Sequence, residues 1–528
     1  MKRLAGLILS LAALMVSGLP APAQKQGGTL RLYQREDPPS ASIHEEATIS
    51  TVFPFMAVFN NLVMYDPQKP KEGKDTVVPD LAESWALDDA GTKLTFMLRQ
   101  GVTWHDGKAF TAKDVVCTFG IVDGSTAGAR KSPRKVWYDN VEKVVADDTL
   151  RVIFHLKAPQ PGLLVLLASG QSPIYPCHVP PKDMRTAPVG TGPFKFVEYK
   201  RGQSVRLERN AAYWKPGRPY LDAIELRIIA SRSTRILAFI AGEFDMTFVA
   251  DVSIPLIKDI AARAPAARCE LVDTGIFVNV MVNRTTPPFD NPKIREAMSL
   301  ALDRQAFVDI VGEGKLTIGG TMIPLPDGHW GMPPEVLASL PGYGANVEQS
   351  RVAGRKLMEG LGYSKERPLK VRLVTRNLDD HKNSAIILVD QLRSVHIAAD
   401  LFAADSSLFY NIMQKKDYTI GTTLSGSSVD HPDAYLTEHY LCKSERNYTS
   451  YCNPEVDRLI GEQMKEGDPA RHKALVWQIE RKLVEDVARP VIFHQRAGTC
   501  YWPHVKGITV HQNSQFNQWR FEDVWLDR

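Results

Sequence analysis

Imidazoles and carboxylates that could hold a metal or move a proton come together at two places in this chain. His44-Glu45-Glu46 begins like the His-Glu-x-x-His zinc motif, whose two histidines share a helix face, but the second histidine is missing. Asp430 and His431 lie near Glu438 and His439, and that spacing matches no recognised zinc set. The chain also lacks a Gly-x-Ser-x-Gly nucleophile elbow, a phosphate-cradling glycine loop ending in Gly-Lys-Ser/Thr, and a Cys-x-x-Cys pair. No catalytic residue, resident metal or cofactor is therefore expected.

Arg376 follows the apolar run Val371-Arg372-Leu373-Val374-Thr375, and open α/β sheets place ligand-facing groups at the carboxyl ends of strands. A guanidinium there can take a carboxylate with two parallel hydrogen bonds; alternatively it caps the next helix or pairs with Asp379 or Asp380. Asp37 follows the strand-like run 29–34 and could face the same space, with a plain turn at Pro38-Pro39 as the alternative. Cys442 and Cys452 lie close together ahead of a helix start. In an oxidising compartment a bridge there would stabilise by about 3 kcal/mol on chain-entropy grounds; two separate thiols are the alternative.

The elements that must position these residues are clearest in the second half. Asn291-Pro292 caps and opens a helix whose apolar residues Ile294, Ala297, Met298, Ala301 and Leu302 recur at helical spacing, with Gly312 and Gly314 stopping it. From Leu369, strand and helix patterns alternate: strand 371–375, helix 384–395, strand 397–402, helix 406–414, strand 418–424. That alternation predicts a doubly wound α/β lobe with a largely parallel sheet. Helices follow at 454–464 and 469–487, then a strand at 491–495. In the first half, short β-branched runs at 29–34, 93–99, 151–156, 194–199, 204–210 and 223–229 predict an α+β lobe with antiparallel pairing, ending in a strand near 244–249. Helical patterns there are sparser, at 52–63 and 233–241. Gly190 and Gly192 read as a turn using positive φ, and Trp104 as a packing anchor between two glycine turns.

The chain opens on Met1-Lys2-Arg3, an apolar run to Gly18, and Ala21-Pro22-Ala23. This pattern predicts a secretory signal over residues 1–23, cleaved after Ala23, and the run is too short for a comfortable membrane span. The first cysteine is Cys117, so lipid attachment at the cleavage site is not expected and the mature protein should be free in the periplasm. A formal net charge of +4 with both signs interspersed argues against nucleic acid as a partner. A chain of 528 residues exceeds one growing core, so two or three compact units are expected.

Five segments carry a resemblance in order along nearly the whole mature chain: 77–119, 189–229, 289–311, 429–436 and 451–462. They include Val189-Gly190-Thr191-Gly192-Pro193-Phe194 and Val429-Asp430-His431-Pro432-Asp433-Ala434-Tyr435-Leu436. On these the chain resembles the large bacterial solute-binding proteins of the oligopeptide, dipeptide and nickel type, which serve ATP-driven (ABC) importers. The resemblance implies a bilobal clamp of the type II periplasmic-binding-protein kind with an extra subdomain. Lobe I would comprise 24–278 and 496–528, with the subdomain inserted at approximately 66–190; lobe II would be 279–495. It further implies a monomer that captures a small peptide-like ligand between its lobes, delivers it to a membrane permease, and neither inserts in the membrane nor acts as an enzyme. Asp430 matches the aspartate that pairs with the ligand amine in peptide-binding relatives, an Asx turn before Pro432 being its alternative. His431 and Tyr435 would be neighbouring contacts, beside Arg376 and Asp37. Where such binders usually carry bulky aromatics ahead of the aspartate, this chain has Ser425-Gly426-Ser427-Ser428, which keeps opines, sugars and metal chelates open as ligands.

Overall fold

The computed structural model describes residues 24–426, 429–512, 514–517 and 520–528; the expected signal segment and Ser427-Ser428 lie outside them. Three sheets organise the chain. In the first, Thr29–Gln34 pairs in parallel with Ala223–Ile228, followed by Ser204–Arg209 and Phe194–Lys200 in antiparallel order. Its alternating apolar residues, such as Leu30, Leu32, Val205 and Leu207, are buried in one core. Val505, Phe521 and Leu526 of the C-terminal tail return to that core.

A second sheet, Ala82–Leu87, Lys93–Leu98, Arg151–Leu156 and Val141–Asp148, is antiparallel throughout and has its own core. Trp104 is buried in that core, edge-on to Phe110, as the packing anchor the sequence suggests. Thr111 starts the helix Ala112–Asp123 in a reciprocal capping box with Asp114, which satisfies backbone donors that a helix start leaves open.

The third sheet runs Ile397–Ala404, Leu369–Arg376, Ile420–Gly426, Arg268–Val282, Val491–Tyr501. Only its first three strands are parallel; the last two are antiparallel to their neighbours, so the sheet is mixed where the sequence pattern suggests a largely parallel one. The reason lies in the two long strands Arg268–Val282 and Val491–Tyr501, which pair with each other and belong to two cores at once. Ile276 and Ala497 sit in the first core, Val278 and Phe493 in the third. A break in register between Asp273 and Phe277 marks the passage.

Three local expectations are corrected. The helix expected from Pro292 is two helices, Pro292–Leu300 and Arg304–Gly312, because the Asp303 carboxylate accepts the Ala306 N–H and caps a new start. Residues 244–249 form no strand; Met246 makes a single bridge to Tyr501, and Phe244, Met246 and Phe248 are buried as core filling. Gly190 and Gly192 do not use positive φ. They are required by close approach, since an added Cβ would sit 1.8 Å from the Val58 carbonyl oxygen at Gly190 and 2.5 Å from the Val58 carbonyl carbon at Gly192.

All six cysteines are paired: Cys117 with Cys177, Cys269 with Cys500, and Cys442 with Cys452. The Cys269–Cys500 bond joins directly opposite residues of the two long strands.

Candidate functional site

Arg376 ends the strand Leu369–Arg376, and period-2 alternation puts its side chain on the same face as Val374, which is buried in a small cluster with Ala404 and Phe409. Its guanidinium reaches Glu36, two residues beyond the first strand Thr29–Gln34, at 2.6 Å. It also donates to the Ser406 hydroxyl at 2.6 and 3.0 Å, and that hydroxyl, with Ser50, donates in turn to Glu36. The partner is thus Glu36, and neither Asp379 nor Asp380 as the sequence alternative has it. Asp380 instead faces Arg35 at 3.6 Å. Burial works to raise the Glu36 pKa, but Arg376 and Arg35 outweigh it and hold the carboxylate ionised. Asp380 is held far below its ordinary value against the same burial penalty, by the guanidiniums of Arg35, Arg232 and Arg376.

These groups border a cavity between the two lobes, lined among others by Thr48 and Gln171 on one side and Tyr410, Ser425 and Arg446 on the other. His381 also lines it; burial lowers its pKa to about 3, so the ring is neutral. Its Nδ1 accepts the Leu424 N–H at 3.3 Å, leaving Nε2 as the ring's donor.

Asp430 lies deeper, in the loop ahead of the helix Pro432–Tyr440. One carboxylate oxygen accepts the His329 N–H at 3.1 Å, and the Trp330 indole donates to its backbone carbonyl at 3.1 Å. Its Oδ1 is sealed from solvent with no partner among the described residues. Desolvation pushes its pKa up to about 7. Asp273, on the long strand Arg268–Val282, has the same character: one orphan oxygen, and a pKa raised to about 7 by burial first and by Asp327 and Asp430 after it. Burial thus favours the protonated form at both carboxyls. Nothing local in the sequence marks Asp273; only its placement beside Asp430 does.

The other sequence candidates are placed differently. The Asp37 carboxylate accepts the Tyr199 hydroxyl and the Gly202 N–H, each at 2.7 Å, and so fastens a hairpin; its neighbour Glu36 lies beside the cleft. His431 caps the helix Pro432–Tyr440 by accepting the Asp433 N–H at 3.3 Å, and packs edge-on to Trp330 at 5.2 Å. Burial lowers its pKa to about 3. Tyr435 is fully buried, stacked on Phe277 at 5.8 Å, and its hydroxyl donates to the Gly275 carbonyl where the long strand changes core. Of the five residues, Arg376 lines the cavity, whereas Asp430, against His329 and Trp330, is not among its lining residues, and Asp37, His431 and Tyr435 make structural contacts. Among the described residues no group of three or more His, Cys, Asp or Glu is arranged to hold a metal, and no helix is long and apolar enough to cross a membrane.

Residues 76–447 match the family model described as bacterial extracellular solute-binding proteins, family 5, middle. The chain is 26% identical to a probable di/tripeptide-binding protein 5 of Pseudomonas aeruginosa, covering 96% of this chain and 97% of that one. Among solved structures it is similar to Haemophilus influenzae OppA in complex with RPPGFSPFR, with TM-score 0.82, 22% identity, and coverage of 96% and 99% of the two chains. It is likewise similar to AgaA of A. tumefaciens R10 in complex with agropinic acid, with TM-score 0.81, 22% identity, and coverage of 95% and 99%. These structural likenesses establish the mixed α/β bilobal fold.

Proposed function

Since the chain belongs to the family 5 bacterial extracellular solute-binding proteins, we propose that it is the periplasmic receptor of an ATP-driven importer, capturing a small peptide-like ligand between its lobes and presenting it to the membrane permease. The observation that carries this reading is the cavity whose walls come from both halves of the chain, with the Arg376–Glu36 pair joining the two at its edge. The naming of the Pseudomonas relative as a di/tripeptide-binding protein supports the ligand class.

In this reading Asp430 receives the ligand ammonium group, with Asp273 near enough to add to its field. Arg376 receives the ligand carboxylate in place of Glu36, so Glu36 acts as a stand-in that holds the guanidinium until a ligand competes for it. The hinge lies at the two long strands, with lobe I as 24–278 and 496–528, a subdomain at approximately 66–190, and lobe II as 279–495. Closure over ligand is a population shift driven by contacts that exist only when both lobes meet. Residues 1–23 serve as a cleaved signal without lipid attachment; the mature protein is a monomer and releases its ligand chemically unaltered.

Calorimetry of the purified protein against di- and tripeptides, with opines and nickel chelates alongside, tests the reading. Saturable binding of a peptide with contraction in solution scattering is expected. A preference for an opine or a chelate over every peptide would overturn the ligand class, and turnover of any of them would overturn the binding-protein reading.

A further inference from the structure

We infer that the cleft wall of Ser425 and Arg446, backed by Arg489, is a second anion subsite, and that the ligand carries an acidic group there in addition to the carboxylate that Arg376 meets. The inference rests on the reading of the cleft given above and narrows its ligand to an acidic one.

Charge bookkeeping around the cleft leaves a positive surplus. Arg35 faces Asp380, Arg376 faces Glu36, and Arg446 pairs with Glu438. Arg489 has no carboxylate partner among the described residues. It is 4% exposed; its Nε donates to the Asn279 side-chain oxygen at 2.8 Å, its Nη2 to the Ser425 hydroxyl at 2.6 Å, and its Nη1 to nothing. Arg134, 2% exposed, donates to the carbonyls of Ile43 and Glu46 and shares the Glu438 carboxylate with Arg446 as its nearby counter-charge, so one carboxylate serves two guanidiniums there. A guanidinium held in a dry interior with no counter-charge is strongly unfavourable, so its persistence calls for an anion that arrives.

The route for that anion is Ser425. Its oxygen is occupied as acceptor by Arg489, so its own O–H is the group left to donate, and Ser425 and Arg446 both line the cavity. A hydroxyl polarised by a guanidinium behind it, beside a second guanidinium, is a donor pair matched to a carboxylate. An amide of the same shape would receive the hydrogen bonds without the charge.

The test compares Ala-Glu with Ala-Gln by calorimetry on the full mature protein, since the two dipeptides share amine and terminal carboxylate and differ only in the side-chain charge. Ala-Glu is expected to bind about tenfold tighter or better, the scale of a charge-assisted bond. Arg446→Gln and Ser425→Ala should each bring that ratio toward unity; the serine variant, which removes one oxygen, keeps the test decisive if the arginine variant does not fold. Equal affinities in the unmodified protein, or a ratio that survives in both variants, would overturn the subsite. If neither dipeptide binds, the peptide reading has failed, and glutarate against glutaramide then decides. Thermal stabilisation by glutarate alone, lost in Ser425→Ala, upholds the anion subsite, and no response to glutarate overturns it.

Discussion

Replacing Asp430 by asparagine should stabilise the empty protein at pH 8 while it weakens ligand capture. The carboxylate is buried, has one orphan oxygen, and holds its proton up to about pH 7. In the unfolded chain an aspartate loses its proton near pH 4. Because the folded-state pKa is raised, the folded protein binds the proton more tightly than the unfolded chain does. Stability from this group is therefore intact below about pH 4, drains away between 4 and 7, and is lost above 7. A gap of about 3 pH units corresponds to about 4 kcal/mol of destabilisation at pH 8. An asparagine removes that penalty but brings an amide N–H₂ that needs acceptors, which returns about 1–2 kcal/mol. The expected net effect is a gain of about 2–3 kcal/mol at pH 8 and a loss of about 1–2 kcal/mol at pH 4. The assay is the melting temperature of ligand-free Asp430→Asn and parent protein across pH 4–8. A difference between the two that is the same at both ends would refute the claim that an unpaired, buried carboxylate sits at 430. Calorimetry at pH 8 should meanwhile show an amine-bearing ligand bound more than about tenfold more weakly by the variant.

In the parent protein, affinity for an amine-bearing ligand should fall as pH drops below about 7, because Asp430 takes up a proton there; a flat calorimetric profile from pH 8 to 5 would contradict it. Glu36→Gln removes the carboxylate from the Arg376 fork across the cleft and should favour the open form by about 1.5–3 kcal/mol, seen as a larger radius of gyration of the empty protein by scattering. Tyr435→Phe deletes the hydroxyl that reaches the Gly275 carbonyl, so it should lower thermal stability by about 1 kcal/mol; a large loss of affinity at unchanged stability would return Tyr435 to the list of ligand contacts. Cys442→Ser with Cys452→Ser opens the bridge closing a separation of 10 residues and should cost about 3 kcal/mol, read as a drop in melting temperature matched by adding reductant to a Cys117/Cys177 and Cys269/Cys500 control.

Local order was legible in the residues themselves. Asn291, Asn453 and Asp468 announce helix starts, and each side chain accepts a backbone N–H in the first turn as expected. Runs such as Thr29–Gln34 and Arg151–Leu156 are strands over the stretches their alternation marks, because period 2 and period 3.6 are imposed by neighbours a few residues away. The same locality placed Arg376 at a strand's carboxyl end. Which partners it meets was decided elsewhere. Glu36 and Arg376 are 340 positions apart, Ser425 and Arg489 are 64, and no short-range pattern couples them. Asp37 shows the limit most plainly: the turn after the first strand is the right place, yet its carboxylate fastens a hairpin while the adjacent Glu36 reaches across the cleft. A one-residue step along an extended chain reverses the side chain's face, and only the packing of two lobes against each other determines which face meets the ligand.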